Sequence, residues 1–160
     1  MQDLLGAVVC RDDQSDTKLC SDIAESAVVT ELLKRRFRVL RPVGDRLPYD
    51  MAIDAEGRLI RIQVKCAWYD QRKRLYTVDV RRTKTNRRRM LRSRYDADDF
   101  DVAVLYLPDQ HIFYVMPVDV FVTYRSGISL IDGRNTQRPP RSTSYRDRWD
   151  LLSPTSDSTA

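Results

Sequence analysis

One compact domain is what 160 residues allow, and hydrophobic residues at 42% suffice for its core. A net charge of +5 and a pI near 9.3 point to an anionic partner. The composition excludes two classes: no apolar run reaches the roughly 18 residues a membrane helix needs, and one histidine beside three cysteines without a C-x-x-C pair rules against a His/Cys zinc site.

Residues 1–16 close on a polar stretch and are read as a flexible N-terminal extension. Its short apolar run Leu4–Cys10 lacks a basic start and a cleavage site, so no signal peptide is expected. With Cys10, Cys20 and Cys66 odd in number, the chain is predicted to be soluble, reduced and cytoplasmic. Residues 17–36 read as a helix, with Leu19, Ile23 and Ala27 beside Ala24, Val28 and Leu32 on one apolar face. Ser21 or Asp16 is the expected cap, and Lys34, Arg35 and Arg36 complement the dipole at the other end.

Strands follow at 37–43, 49–55, 58–67 and 75–80, the second and third joined by a turn at Glu56-Gly57. Residues 100–107 and 112–116 form another hairpin around the turn at 108–111, and Val118–Tyr124 reads as a short helix. A long loop is expected from Asp132 to Ser144. After it, Trp149 and Leu152 dock back onto the domain, and 153–160 form a disordered tail. One helix, a mixed sheet and further short helices define an α/β class.

Two stretches carry chemistry. In the hairpin, Ile60, Ile62 and Val64 share one face with Met51 and Ile53, while Arg61, Gln63 and Lys65 share the other with Asp50, Ala52 and Asp54. A two-residue turn sets Ala55 opposite Arg58 and therefore Asp50 opposite Gln63; a three-residue turn without a bulge sets Asp50 opposite Ile62 instead. In the first register a carboxylate, an amide and an ammonium cluster on one face. That set suits metal-dependent hydrolysis of a phosphodiester: Asp50, the Gln63 side-chain oxygen and the Val64 carbonyl offer oxygens to a hard cation such as Mg²⁺. Lys65 holds the scissile phosphate or orients the attacking water.

The second stretch is 81–94, which holds 8 basic residues and no acid; without it the chain has 20 basic and 23 acidic residues. The positive charge is therefore local. Arg81, Arg82, Lys84, Arg87, Arg88, Arg89, Arg92 and Arg94 are predicted to contact double-stranded DNA through its phosphates. Elsewhere the plainer readings are preferred. Asp54 is expected to pair with Arg58 or Arg61, Asp101 to be a structural hydrogen-bond partner, and Trp149 to be a packing anchor. His111 is read as a turn residue.

Asp50 followed by Gln63-Val64-Lys65, after a helix carrying Glu25, resembles the PD-(D/E)XK nuclease superfamily. Within it the chain is similar to the group I intron-associated PD-(D/E)XK endonucleases, which include homing endonucleases. The likeness rests on Ser21-Asp22-Ile23-Ala24-Glu25, on Arg41-Pro42-Val43-Gly44-Asp45 ahead of Pro48-Tyr49-Asp50, and on Ile60-Arg61-Ile62-Gln63-Val64-Lys65. Asp99-Phe100-Asp101 and Tyr145-Arg146-Asp147-Arg148-Trp149-Asp150 complete it, so that it spans about 17–152, the predicted nuclease domain.

The resemblance implies a restriction-endonuclease-like core, a mixed β-sheet flanked by helices, with Mg²⁺-dependent DNA cleavage in which Mn²⁺ substitutes. It assigns Asp50 to the metal, Lys65 to catalysis and Glu25 to completing the acidic site. Gln63 stands where most of the superfamily carries Asp or Glu, which removes one negative charge from the metal site. Cutting both strands with one site per chain implies a homodimer or homotetramer. A Holliday-junction-resolvase-like nuclease and a catalytically weak DNA-binding protein on the same fold are the alternative readings.

Overall fold

The computed structural model describes residues 17–86, 89–130 and 139–153. The predicted extension at 1–16, the tail from 154 and most of the predicted 132–144 loop lie outside them.

Helix α1 (Thr17–Lys34) forms as its periodicity predicts, burying Cys20, Ala24, Val28 and Leu32 at every fourth position. Leu19, predicted for this face, is about half exposed, because a strict four-residue row places it off the seam that Cys20 occupies. Ser21 does not cap the start; its hydroxyl donates back to the Thr17 carbonyl at 3.0 Å. The helix stops at Arg36, whose φ of 65° is left-handed. Phe37 N–H reaches the Leu32 carbonyl and Arg36 N–H the Leu33 carbonyl, a Schellman ending that satisfies two orphan carbonyls. Cys20 is disulfide-bonded rather than reduced, whereas Cys66 is a thiol that burial pushes up to about 12.

The central sheet runs β1 (Arg38–Leu40), β2 (Met51–Ala55), β3 (Arg58–Cys66), β8 (Val102–Leu107), β9 (Ile112–Pro117). Only β3 and β8 are parallel within it. Between them the chain makes β4 (Trp68–Asp70), β5 (Leu75–Asp79) and the ribbon β6 (Arg82–Asn86) and β7 (Arg89–Ser93). A second sheet orders β10 (Gly127–Leu130), β5 and β4. Helix α2 is shorter than the predicted 118–124, at Val118–Phe121, and 3-10 turns cover Arg141–Tyr145 and Trp149–Leu152.

The 81–94 segment was expected only as a basic stretch, and β4 and β10 were not foreseen. Each is short or lacks an apolar face of its own, and each forms only against a partner strand. The first strand is confined to three residues of the predicted seven, since Leu40 is its last pairing position with β2.

Both faces of the central sheet are covered, so β8 is buried along its full length. Val102, Val104 and Tyr106 pack with Ile60, Ile62 and Val64 beneath α1, and Trp149 and Leu152 dock there as predicted. Ala103, Leu105 and Leu107 face the second sheet and α2, alongside Val78, Phe100, Phe121 and Ile128. Among the described residues no helix is long and apolar enough to cross a membrane.

Asp101 clips the two strands that carry the sheet. Its carboxylate accepts the Arg61 N–H at 2.7 Å and the Arg61 guanidinium at 3.1 Å through each oxygen. Its own N–H donates to the Arg61 carbonyl, and its carbonyl accepts Val118 N–H. Burial alone would raise this acid, but the Arg61 bonds outweigh it and hold it below the usual carboxylate value. A depressed carboxylate stabilises the fold above its unfolded value, about 3.9, and loses that contribution as pH falls through the folded one. Asp101→Ala should cost about 2 kcal/mol at neutral pH, with the gap to wild type closing below pH of about 3.9. Urea unfolding at two pH values measures this; a gap independent of pH would contradict the ionic clip.

Candidate active site

The turn between β2 and β3 decides what meets at the far end of the hairpin. Glu56 and Gly57 both have left-handed φ, 54° and 89°, as a two-residue primed turn requires. Asp54 Oδ1 accepts the Gly57 N–H at 2.9 Å and so secures the turn; Asp54 pairs with Arg38 at 3.6 Å rather than with the predicted Arg58 or Arg61. Ala55 faces Arg58 and Met51 faces Ile62. Asp50 N–H then donates to the Ile62 carbonyl at 3.0 Å, so that Asp50 doubles on Ile62 beside Met51 and leaves the ladder; it meets Gln63 through its side chain, not as the strand pair expected from the sequence.

Beyond that step β3 continues without β2 beside it. The Val64 N–H on this edge would stay unpaired, a costly state for a buried amide. Asp50 closes the gap: its Oδ2 accepts the Val64 N–H at 2.7 Å and the Gln63 Nε2 at 2.6 Å. Gln63 Nε2 also donates to the Val64 carbonyl at 3.1 Å. Gln63 therefore turns its nitrogen, not its oxygen, toward Asp50. The reverse orientation would set two acceptors against each other at 7% exposure.

The site is electrostatically loaded. Burial pushes Asp50 above its ordinary value, against the Val64 N–H and the charges of Lys65, Arg41 and Arg82. Burial, then Asp50 itself, pushes Glu25 up as well, while Arg41 pulls it down. Glu25 thus arrives from α1 within electrostatic reach of Asp50, two acids that hinder each other's ionisation. Arg41 Nη2 lies 3.9 Å from Glu25 Oε2. Sequence reasoning missed Arg41 as a site residue; its position between β1 and the Pro48-Tyr49-Asp50 segment is the only signal that pointed to it.

Lys65 leaves β3 on the Gln63 face. Its ammonium donates to the Arg81 carbonyl at 3.1 Å and lies 4.9 Å from the centre of the Tyr95 ring. Burial lowers its pKa, a shift that Asp50 and Asp79 oppose. Tyr95, also missed in the sequence, is buried, and burial raises its hydroxyl well above the ordinary phenol value.

Of the predicted DNA contacts, Arg81 is tied to Asp79 at 3.2 Å. Arg82 donates to the Leu47 carbonyl at 3.3 Å and acts on both Asp50 and Lys65. Arg94 is exposed at the foot of the ribbon. The side chains of Lys84, Arg89 and Arg92, and all of Arg87 and Arg88, lie outside the described residues.

Oxygens converge here in the manner a hard cation needs. Gln63 Nε2 occupies a point within hydrogen-bond reach of both Asp50 Oδ2 and the Val64 carbonyl, and Glu25 adds a second carboxylate nearby. This donor set fits a divalent cation that prefers oxygen. Among the described residues no group of three or more His, Cys, Asp or Glu gathers for a metal, so a cation bound here must draw on neutral oxygens as well as on Asp50 and Glu25.

Comparison with known proteins agrees with this chemistry. The family model of PD-(D/E)XK endonucleases matches residues 15–152. A solved bacterial homing endonuclease, I-Ssp6803I, is similar at 48% identity over 85% of this chain and 92% of its own, with a TM-score of 0.79. No curated protein sequence matches. A carboxylate, an amide and a lysine at the open end of a hairpin, joined by a helix glutamate and matched over nearly the whole domain, lead to one conclusion: the chain belongs to the PD-(D/E)XK endonuclease family and is a DNA-cleaving hydrolase with a restriction-endonuclease-like core.

Proposed function

We propose that this endonuclease is of the homing type and cuts double-stranded DNA with Mg²⁺, or Mn²⁺ in its place, as a homodimer or homotetramer in the cytoplasm. The observation that carries the reading is the convergence of Asp50, Gln63 and the Val64 carbonyl at one end of the β2–β3 hairpin, with the Lys65 charge acting on Asp50. Nucleases of this family generally use divalent metal ions, and the homing character is supported by the likeness to I-Ssp6803I. One active site per chain serves one strand, so a symmetric assembly supplies the second cut.

Asp50, Glu25, the Val64 carbonyl and Gln63 are the residues that would hold the cation. When bound, a divalent cation polarises the scissile phosphate and offsets its charge. Gln63 would contribute its side-chain oxygen once its amide, now donating to Asp50 and the Val64 carbonyl, is turned over. Lys65 meets a non-bridging phosphate oxygen, where an ammonium in a dry site is worth more than in water. Arg82 and the cations of the 81–94 ribbon bring the DNA backbone to that point.

Lys65→Ala and Asp50→Ala should each lower cleavage by about 10²–10³-fold or more, while retaining DNA binding. Nicking of supercoiled plasmid beside a gel-shift assay measures both, and a Lys65→Ala protein that cuts at the wild-type rate would remove the lysine from the mechanism.

Gln63→Glu tests the cation site without relying on turnover. In the absence of metal it puts a carboxylate against Asp50 and deletes the donor, at a cost of about 2 kcal/mol. Mg²⁺ should restore most of that loss, seen as a larger metal-dependent rise in melting temperature than in wild type. Equal melting temperatures of the two metal-free proteins would refute the role given to the Gln63 amide.

A further inference from the structure

Among the described residues the Lys65 ammonium makes no hydrogen bond to Asp50 or Gln63. Its contacts come from the two ends of the β6–β7 ribbon. The outgoing limb leaves β5 at Asp79 and reaches β6 at Arg82. On that limb the Arg81 carbonyl takes the Lys65 ammonium at 3.1 Å. The returning limb leaves β7 at Ser93 and reaches Tyr95, whose ring centre lies 4.9 Å from the same nitrogen.

Neither contact is loose. Arg81 is anchored by its backbone N–H and its Nε, both to Asp79 Oδ1, at 2.9 and 3.2 Å. The Tyr95 ring is 8% exposed. It sits edge-on to Phe100 at 5.2 Å and to Phe121 at 6.0 Å, and those two rings meet at 5.5 Å. Phe100 and Phe121 thus fix its plane. A lysine has four rotatable bonds and a strongly hydrated head. Taken into a half-buried site, it needs partners that replace water without neutralising it. A carbonyl and the face of a π-system do that.

We propose that Tyr95 is a positioning residue for Lys65. Its ring, with the Arg81 carbonyl, forms a clamp at the root of the ribbon that aims the ammonium. The segment carrying the densest positive charge and the lysine at the cut then form one mechanical unit. The ring does the work rather than the hydroxyl, so phenylalanine should serve in its place. The inference rests on the reading of Lys65 as the phosphate-contacting residue.

The test compares wild type with Tyr95→Phe, Tyr95→Leu and Lys65→Ala, each first shown to unfold cooperatively with a native-like midpoint. In protein labelled with ¹³C-lysine, the Lys65 ε-methylene resonance, identified by its loss in Lys65→Ala, is displaced upfield by the ring current of Tyr95. Tyr95→Phe should keep that displacement and the wild-type kcat. Tyr95→Leu should lose the displacement and lower kcat by about tenfold, with KM for DNA within about twofold of wild type. The proposal is overturned if the folded Tyr95→Leu protein keeps the displaced resonance, or if Tyr95→Phe loses as much kcat as Tyr95→Leu. If Lys65→Ala cuts as well as wild type, the proposed function fails at Lys65 and the positioning role falls with it. The resonance still reports whether the contact exists, so the two failures are told apart.

Discussion

The two-residue turn at Glu56-Gly57 is the constraint on which the site depends. It places two successive residues in left-handed backbone, one of them not glycine, and Asp54 holds that geometry with a bond to Gly57. Every pair along the hairpin then follows, from Ala55–Arg58 to Met51–Ile62. A three-residue turn without a bulge would shift every one of these pairs by one residue. Because strand side chains alternate, such a slip would drive charged residues into the core under α1. The same register gives Asp50 a structural task, since its carboxylate ends the ladder by accepting the Val64 N–H.

A buried acid at a strand end has to be compensated. Here the compensation is distributed. Val64 offers its N–H, Gln63 its amide, and Lys65, Arg41 and Arg82 their charge. Even so, burial prevails and both Asp50 and Glu25 are shifted upward. In this setting an amide at position 63 has a physical logic. A third carboxylate would have to be buried beside two acids that already repel, whereas the amide donates to Asp50 and ties off the Val64 carbonyl. Under the proposed function the cost is a weaker pull on a cation, because a neutral oxygen replaces a charged one.

The two cores divide the labour around that point. The face beneath α1 brings Glu25 and is sealed by Trp149 and Leu152. The opposite face carries the second sheet, the Tyr95–Phe100–Phe121 cluster and the foot of the ribbon. Asp50 lies just ahead of β2, at the open end of the hairpin, where groups from both faces act on the same carboxylate. Charges from Glu25 and from Lys65 reach Asp50 there, although they come from opposite sides of the sheet. The parallel pairing of β3 with β8, clipped by Arg61 and Asp101, holds Lys65 in line with that end.

What the sequence determined by itself was local in origin. Four-residue spacing from Cys20 to Leu32 specified α1, and period-two alternation from Ile60 to Lys65 sorted the core from the site. The Glu56-Gly57 pair specified the register as far as Met51–Ile62; the meeting of Asp50 and Gln63 through their side chains was settled at the strand end, where Asp50 leaves the ladder. The family motif was legible for the same reason, being written along one hairpin and one helix. Tertiary structure alone decided the rest. The short strands β4 and β10 and the β6–β7 ribbon carry little periodic signal and exist because a partner strand satisfies their backbone. The direction of the Gln63 amide followed from two acceptors converging on it, and the Arg41–Glu25 and Asp54–Arg38 pairs followed from how β1 lies beside β2. Tyr95 reached Lys65 across thirty positions of chain because a ribbon leaves and returns at the same place. Contacts of that kind depend on where the chain comes back to, and a pattern along a few neighbouring residues holds no record of it.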